Sequence, residues 1–230
     1  MQRNLLDKYK NFHCDYQVSV SAPEFNGENV LSYYLSTTQL DMQPCSAQDF
    51  EVYQAMVGNA DAMQLYGLGA AWTPAYTLQR LNAWQQLWAT NNPYSGFKLY
   101  NKDGVFVGHA AYDYDDSAPP ACAEISYIVD KRHWHHGYAS EATSALVNHY
   151  SQRLISDGYL CRGETLAGSY ATARPDNPAS LAVLLKAGMQ LQQQDLQPIN
   201  TQWGQRFTFF KATDIADTRV EYAPLPSKLN

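Results

Sequence analysis

Alternating hydrophobic and polar positions predict short strands over much of the chain. The alternation is clear in TTQLDMQP, SGFKLYN, VFVGHAAYDYD and CAEISYIVD, which begin at residues 37, 95, 105 and 122. The turn KDG joins the second of these to the third as a hairpin. GYLCRGETLAGSYATA, from residue 158, is strand-like too, but its internal glycines allow a bulge or a longer hairpin. MQLQQQ and QRFTFFKA predict a last strand pair.

Other segments carry apolar or small residues at helical spacing. Ser46 and Asp49 form a capping-box-like start for the helix AQDFEVYQAMVG. YASEATSALVNHYSQRLIS follows Gly137, and NPASLAVLLKAGM is closed by Gly188, a typical helix stop. The segment TLQRLNAWQQLWATN has one apolar face, made of Leu78, Leu81, Trp84, Leu87 and Trp88. Strands interrupted by helices predict an α/β (α+β) domain with a mixed sheet.

Composition and charge narrow the function classes. The 230 residues are 45% apolar, enough for one sizeable core, and the formal net charge is −6. An acidic chain without a basic run argues against a nucleic-acid partner, and no apolar stretch has membrane-spanning length. The start MQRNLLDKYKNFHCDYQ lacks the apolar core of a signal peptide, which predicts a cytoplasmic protein. Reduced thiols are expected because no CxxC spacing links the cysteines, which are Cys14, Cys45, Cys122 and Cys161.

The stretch DKRHWHHGYASEA, residues 130–142, allows two interpretations. A metal site would need His133, His135 and His136 to converge with a further ligand, but no HExxH spacing or cysteine pair supports it. In the other interpretation, a strand runs into an irregular turn, then Gly137, then a helix that begins with small residues. The first turn of such a helix offers unpaired N–H groups and the positive end of the dipole, which suit a pyrophosphate.

A family resemblance favours the phosphate interpretation. WHHGYASEA resembles the acyl-CoA-binding turn of the GNAT superfamily of N-acetyltransferases, Arg/Gln-x-x-Gly-x-Gly/Ala. It is most similar to the branch that acetylates ribosomal-protein N-termini, which has Trp-Gly-x-Gly-Tyr-Ala-x-Glu-Ala. Trp134, Gly137 and Ala139 take the matching positions, Glu141-Ala142 follow as in that branch, and His135 replaces a glycine.

A second stretch agrees with the first. ARPDNPASLAVLLKAGM resembles the second CoA motif of the same branch, with Met189 in place of a phenylalanine. The matching residues are Pro175, Asn177, Ser180, Val183, Leu184, Lys186 and Gly188. LSTTQLDMQPCSAQDF is similar to the opening of the family, with Gln43 in place of an arginine. The resemblance predicts an acetyltransferase domain over residues 35–212, an N-terminal extension (1–34) packed on it, and a C-terminal tail (213–230).

The resemblance also implies a fold and a binding mode for acetyl-CoA. The sheet would be strongly twisted and flanked by helices, and its two central parallel strands, CAEISYIVD and part of GYLCRGETLAGSYATA, would splay apart. Pantetheine would lie between them and the pyrophosphate on the turn at residues 135–140, with acetyl-CoA as co-substrate and no metal. The implied binding residues are Tyr127, Val129, Trp134, His135, His136, Gly137, Tyr138, Ala139, Ser140, Asn177, Ser180 and Lys186.

The chemistry that follows is direct attack of a primary amine on the thioester. A backbone N–H near Val129 would stabilise the oxyanion. Glu124, on the opposite face of its strand from Tyr127, is the candidate base, directly or through water; it could equally be a structural carboxylate. Many family members have a tyrosine acid seven residues after the motif asparagine. Here that position is Leu184, so Ser180 is the candidate partner of the leaving thiolate, or else a small packing residue.

The sequence does not identify the amine that accepts the acetyl group. The branch suggests a protein N-terminus, but a small amine is also possible. The acidic loop with Asp113, Asp115 and Asp116 could attract a cationic amine, or could be a solvated hairpin end. A competing hypothesis is a catalytically idle acyl-CoA-binding or protein-interaction module on the same fold. Either a monomer or a homodimer is compatible with the sequence.

Overall fold

The computed structural model describes residues 8–9, 17–21, 24–25, 31–114, 116, 118–193 and 196–213. The strands are β1 (Val18–Val20), β2 (Glu24–Phe25), β3 (Leu31–Ser32), β4 (Leu35–Thr37), β5 (Leu40–Pro44), β6 (Gly96–Asn101), β7 (Phe106–Asp113), β8 (Cys122–Val129), β9 (Leu160–Cys161), β10 (Glu164–Thr165), β11 (Gly168–Ala173), β12 (Gln190–Leu191), β13 (Ile199–Thr201) and β14 (Gly204–Ala212). The helices are α1 (Phe50–Val57), α2 (Ala60–Met63), α3 (Pro74–Ala89), α4 (Tyr138–Ser144), a π-helical segment (Ala145–Tyr150), α5 (Ser151–Ser156) and α6 (Pro178–Lys186).

The main sheet confirms the predicted splay of two central strands. Its order is β1-β4-β5-β6-β7-β8-β11-β14-β12, with β13 on β14. Among these pairs only β8 and β11 are parallel, and their pairing stops at Glu124 and Tyr170. Beyond that point β8 continues to Val129 and β11 to Ala173 without bonding each other, which leaves a gap in the middle of the sheet.

Helices cover both faces of the sheet at this gap. Ile125 and Val129 of β8 belong to the same buried cluster as Leu184 of α6, so odd-numbered residues of β8 face α4 and α6. Ile128 packs instead with residues of α1 and α2, including Met56. The two sides of β8 therefore meet two separate layers of helix.

Some sequence-based elements were wrong in detail. The strand predicted over residues 37–44 is two strands, β4 and β5, because the chain turns at Thr38 and Gln39. The long α3 begins at Pro74, since Thr73 caps it, and the predicted face residue Leu78 is 42% exposed. The stretch from residue 158 contains the β9–β10 hairpin before β11, as its glycines allowed.

The predicted N-terminal extension contributes to the fold. Its strand β1 pairs with β4 at the edge of the main sheet, and Tyr33 is fully buried in the core. The boundaries at residues 34 and 212 stay predictions, and the tail beyond residue 213 lies outside the described residues. Within the described ranges, no helix is long and apolar enough to cross a membrane.

Candidate active site

The turn before α4 presents backbone donors at the open end of the gap. His135 and Gly137 both have positive φ, 66° and 86°, and Gly137 is the N-cap of α4. A Cβ on Gly137 would meet no close atom, so the backbone conformation is what favours glycine there. No side chain caps the first turn of α4, whose leading N–H groups also lack partners within the helix. The geometry is that of an anion-binding turn.

The histidines of this turn do not converge on one point. The His136 ring stacks on the Tyr138 ring at 5.4 Å, and its Nδ1 lies 2.9 Å from the carbonyl oxygen of Trp134. Across the described part of the chain, no three His, Cys, Asp or Glu side chains are close enough together to hold a metal ion.

Glu141 fixes α4 in place. Its carboxylate is fully buried and accepts hydrogen bonds from the Thr37 hydroxyl, from the Gln39 backbone N–H at 2.6 Å and from Gln39 Nε2 at 2.7 Å. The helix that carries the turn is thereby tied to the loop between β4 and β5. Sequence reasoning counted Glu141 only as a motif position and missed this anchoring role.

Main-chain groups of β8 face the gap. The Asp130 N–H donates to the carbonyl of Val107 on β7, so by alternation the peptide groups of Tyr127 and Val129 point the other way. The Val129 carbonyl accepts a hydrogen bond from Trp134 Nε1 at 2.8 Å. The Val129 N–H and the Tyr127 peptide thus line the gap, and Trp134 orients the Val129 peptide.

Tyr127 and Ser180 meet across the gap. The Tyr127 hydroxyl lies 2.9 Å from Ser180 Oγ and 3.2 Å from the Ser180 carbonyl oxygen, and its single hydrogen can be donated to either atom. Burial raises the pKa of Tyr127. Asn177 caps α6, since its Oδ1 accepts from the Ser180 N–H at 3.0 Å. Lys186 lies at the other end of α6, with Nζ 5.4 Å from the Tyr9 ring centroid, and is not brought together with Ser180.

The opposite face of β8 carries the acidic groups. Glu124 stands directly across from Asp113 in the β7–β8 register. Asp113 accepts from Trp84 Nε1 at 3.0 Å and from Arg80 at 3.2 Å. The interpretation of Asp113 as a solvated hairpin residue was wrong, because it is buried at the end of β7. Asp116 is exposed and pairs with Arg162, while Asp115 lies outside the described residues.

A buried histidine lies on the same face as Glu124. His109 of β7 is surrounded by an aromatic box, with ring centroids 5.3–6.1 Å away. The box consists of Tyr53, Tyr66, Trp72 and Trp84. Burial, followed by the charge of Arg80, lowers the pKa of His109 to about 3. Sequence reasoning missed this cluster; its only signal was a histidine within an alternating strand.

Tyr66 connects the box to β8. Burial raises the pKa of Tyr66 to about 12, and the charge of Arg80 and a hydrogen bond with Ser126 oppose this rise. Since Ser126 and Glu124 are two residues apart on one strand, their side chains share this face. The sheet therefore has a turn with backbone donors on one side of the gap, and on the other face Glu124 and Ser126 beside the aromatic box around His109.

Comparisons with known proteins agree with this geometry. A profile described as "Acetyltransferase (GNAT) domain" matches residues 39–190, more than half of the chain. No curated protein matches the chain in sequence. Many solved structures resemble its fold.

Three of these structures illustrate the likeness. One is an acetyl transferase from Salmonella typhimurium described as modifying the N-terminal serine of 50S ribosomal subunit protein L7/L12 (17% identity, TM-score 0.58, covering 77% of this chain and 96% of that chain). Another is the RimL ribosomal L7/L12 alpha-N-protein acetyltransferase in complex with coenzyme A (17%, 0.58, 77% and 96%). The third is the microcin C7 self-immunity acetyltransferase MccE with acetyl-CoA and AMP (14%, 0.57, 76% and 93%). The profile match and the splayed sheet together place the chain in the acetyltransferase (GNAT) family of acetyl-CoA-dependent N-acetyltransferases.

Proposed function

We propose that the protein transfers an acetyl group from acetyl-CoA to a primary amine by direct attack in a ternary complex. The observation that carries this proposal is the gap between β8 and β11. It separates a donor-rich turn from the face of β8 that carries Glu124. Two substrates entering from opposite faces would meet at the gap without a covalent enzyme intermediate.

The cofactor face is suited to a long anionic thioester. Backbone N–H groups of residues 135–140 would hold the pyrophosphate, and the peptide groups of Tyr127 and Val129 would hold the amide arm, much as an added strand is held. When bound, acetyl-CoA supplies an activated acyl group. Trp134 orients the Val129 peptide, whose N–H would donate to the carbonyl oxygen as negative charge develops there.

Ser180 is proposed to stabilise the leaving thiolate. If Tyr127 donates to Ser180 Oγ, the Ser180 hydroxyl hydrogen is available to the gap. The raised pKa of Tyr127 keeps its phenol protonated, so it remains a donor. Asn177 supports this arrangement as the helix cap that positions the Ser180 backbone.

Glu124 is proposed to remove the proton from the amine, directly or through water. Its place on the acceptor face, beside Ser126, supports this role. The acceptor is proposed to be a protein N-terminus or a small amine. A protein N-terminus is supported by the structural relatives described as acting on ribosomal protein L7/L12. A small amine is supported by the aromatic box that encloses His109.

The test is a binding measurement followed by an acceptor screen. Calorimetry should show acetyl-CoA binding, and thiol release should then be followed over peptide amides with free N-termini, polyamines and aromatic amines. Mass spectrometry of the product would locate the acetyl group. Acetyl-CoA binding without turnover on any acceptor would favour the idle module, and no binding at millimolar acetyl-CoA would contradict the proposal.

We also propose a cytoplasmic location for the protein. Support comes from the described cysteines, Cys45, Cys122 and Cys161, which are buried and not in disulfides. Cell fractionation with an antibody against the native chain would test this. Light scattering of the purified protein would distinguish a monomer from a homodimer.

A further inference from the structure

His109 is a buried polar side chain without a hydrogen-bond partner. Its ring is fully buried, and neither Nδ1 nor Nε2 has a hydrogen bond within the described chain. A buried polar group left unpaired costs about 1–3 kcal/mol of stability, so such a group in a native fold calls for a reason. An apolar residue at this position would avoid that cost.

The aromatic box gives His109 no hydrogen bond, and the polar atoms of three of its four residues are engaged elsewhere. Trp84 Nε1 donates to Asp113, and the Tyr53 hydroxyl lies 2.7 Å from Cys45 Sγ. The Tyr66 hydroxyl is bonded with Ser126. The box therefore encloses His109 by ring contacts alone.

The position of His109 points to the acceptor. It faces Ile128 across the β7–β8 ladder and lies diagonally from Ser126, on the face of β8 that carries Glu124. Tyr53 and Trp84 are fully buried, whereas Tyr66 and Trp72 are only partly buried. Tyr66 and Trp72 are thus the outer wall between His109 and solvent.

The segment that carries this outer wall is partly exposed. Gly67 and Gly69 have positive φ, 50° and 82°, and Leu68 between them is 68% exposed. The Arg206 guanidinium donates a hydrogen bond to the Gly67 carbonyl oxygen at 2.5 Å. An amine would reach the imidazole only after the side chains of Tyr66 and Trp72 changed rotamer, which would break the hydrogen bond between Tyr66 and Ser126.

We propose that His109 is an acceptor-binding residue, whose unpartnered imidazole nitrogen accepts a hydrogen bond from the amine admitted between Tyr66 and Trp72. This rests on the proposed function and adds that the aromatic box is the inner end of the acceptor pocket. A neutral imidazole offers a lone pair without repelling a cation, and aromatic faces attract one. The low pKa of His109 keeps the ring neutral at physiological pH.

His109 gains no net proton in this scheme. The amine nitrogen forms a bond to the acyl carbon, the carbon–sulfur bond breaks, and its electron pair stays on sulfur as the thiolate that Ser180 stabilises. The amine proton goes to water and through water to Glu124, which lies four residues along β8 from Ile128, the residue opposite His109. The imidazole only orients the nitrogen lone pair toward the thioester, which is a positioning effect on the acceptor.

The experiment compares His109→Phe, which keeps a ring of similar shape, with His109→Gln, which keeps an acceptor oxygen. Tyr112→Phe is the matched control. Tyr112 is buried on the other face of β7, and this variant also removes one hydrogen bond, the one between Tyr112 and Ser169. With the best amine of the acceptor screen, His109→Phe should raise the acceptor KM about 10-fold, the effect of one lost hydrogen bond. His109→Gln should recover part of this loss, and acetyl-CoA affinity should stay within about twofold in every variant.

A spectroscopic readout separates this inference from the proposed function. In the full-length protein with bound CoA, the imidazole nitrogen resonances of His109 should shift when tyramine, spermidine or Ala-Ala-Ala-amide is added. If the wild type acetylates no amine, the proposed function fails, but these shifts still test whether the pocket binds one. Unchanged resonances for every probe, or an unchanged acceptor KM in a well-folded His109→Phe variant, would overturn the inference.

Discussion

Replacing Glu141 tests whether its buried carboxylate holds the turn at residues 135–140 in place. Glu141→Ala removes a fully buried acceptor that three donors share, from Thr37 and Gln39. Hydrogen bonds to a charged group are worth about 1.5–3 kcal/mol each, but the three share one carboxylate and do not add in full. The deletion also leaves buried donors unpaired and a small cavity. We expect a loss of about 3–5 kcal/mol in the free energy of unfolding.

A loss of this size is readily measured. Domains of this length are stabilised by about 5–15 kcal/mol in total, and each kcal/mol moves the melting temperature by about 2–4 °C. The melting temperature of Glu141→Ala, measured by calorimetry, should therefore fall by about 6–20 °C. Glu141→Gln, which keeps the volume but puts an amide donor against donors, should lose about half as much.

A control separates the carboxylate from the surrounding packing. Gln39→Ala removes one donor from the partly exposed side of the same cluster and should cost about 1 kcal/mol. Acetyl-CoA affinity, measured on the folded variants at low temperature, should weaken about 10-fold in Glu141→Gln because the first turn of α4 shifts. If Glu141→Ala melted within about 2 °C of the wild type, the anchoring argument would be refuted.

Further predictions concern the gap and its two faces. Glu124→Gln should lower kcat by about 10²-fold, a typical general-base effect, with acetyl-CoA affinity nearly unchanged; wild-type turnover across the pH range would remove Glu124 from the mechanism. Tyr127→Phe should lower kcat severalfold without changing the acceptor KM, as steady-state kinetics would show, because it removes the donor to Ser180. Gly137→Ala should weaken acetyl-CoA binding in calorimetry, since a φ of 86° costs an alanine about 1–2 kcal/mol. Burial lowers the pKa of His109 to about 3 in the folded protein. As the pH falls below about 6.5, the unfolded chain therefore takes up a proton on this histidine before the folded chain does. The free energy of unfolding should decline from about pH 6.5 toward about pH 3. At a pH of about 5 this amounts to about 2 kcal/mol, and urea unfolding of His109→Phe should show a smaller decline than the wild type.

The turn before α4, where we propose that the cofactor binds, could be predicted from the sequence because it is local in the chain. Gly137 and the small residues after it lie in one turn, and their backbone conformation follows from a few neighbouring side chains. The face of Glu124 also followed from strand alternation, which separates it from Tyr127. Periodicity and capping residues predicted most helices and strands for the same reason.

The aromatic box around His109, which we propose as the acceptor side, could not be predicted because it is assembled from distant segments. His109 lies in β7, but its surroundings come from α1, α3 and the residues before α3. Only the tertiary fold brings these rings together. Asp113 was misread for a similar reason: its burial depends on Trp84 and Arg80, about thirty residues earlier in the chain.

The pairing of β1 with β4 has a consequence for any attempt to shorten the chain. The region that matches the family begins at residue 39, whereas β1 pairs with β4 from residues 18–20. A chain shortened to the matching region would lose β1 and β4, so the five-residue β5 would replace the three-residue β1 as the edge of the sheet, and a longer edge recruits strands from other molecules more readily. We therefore expect a chain without the N-terminal segment to self-associate, and loss of solubility should be the first effect observed.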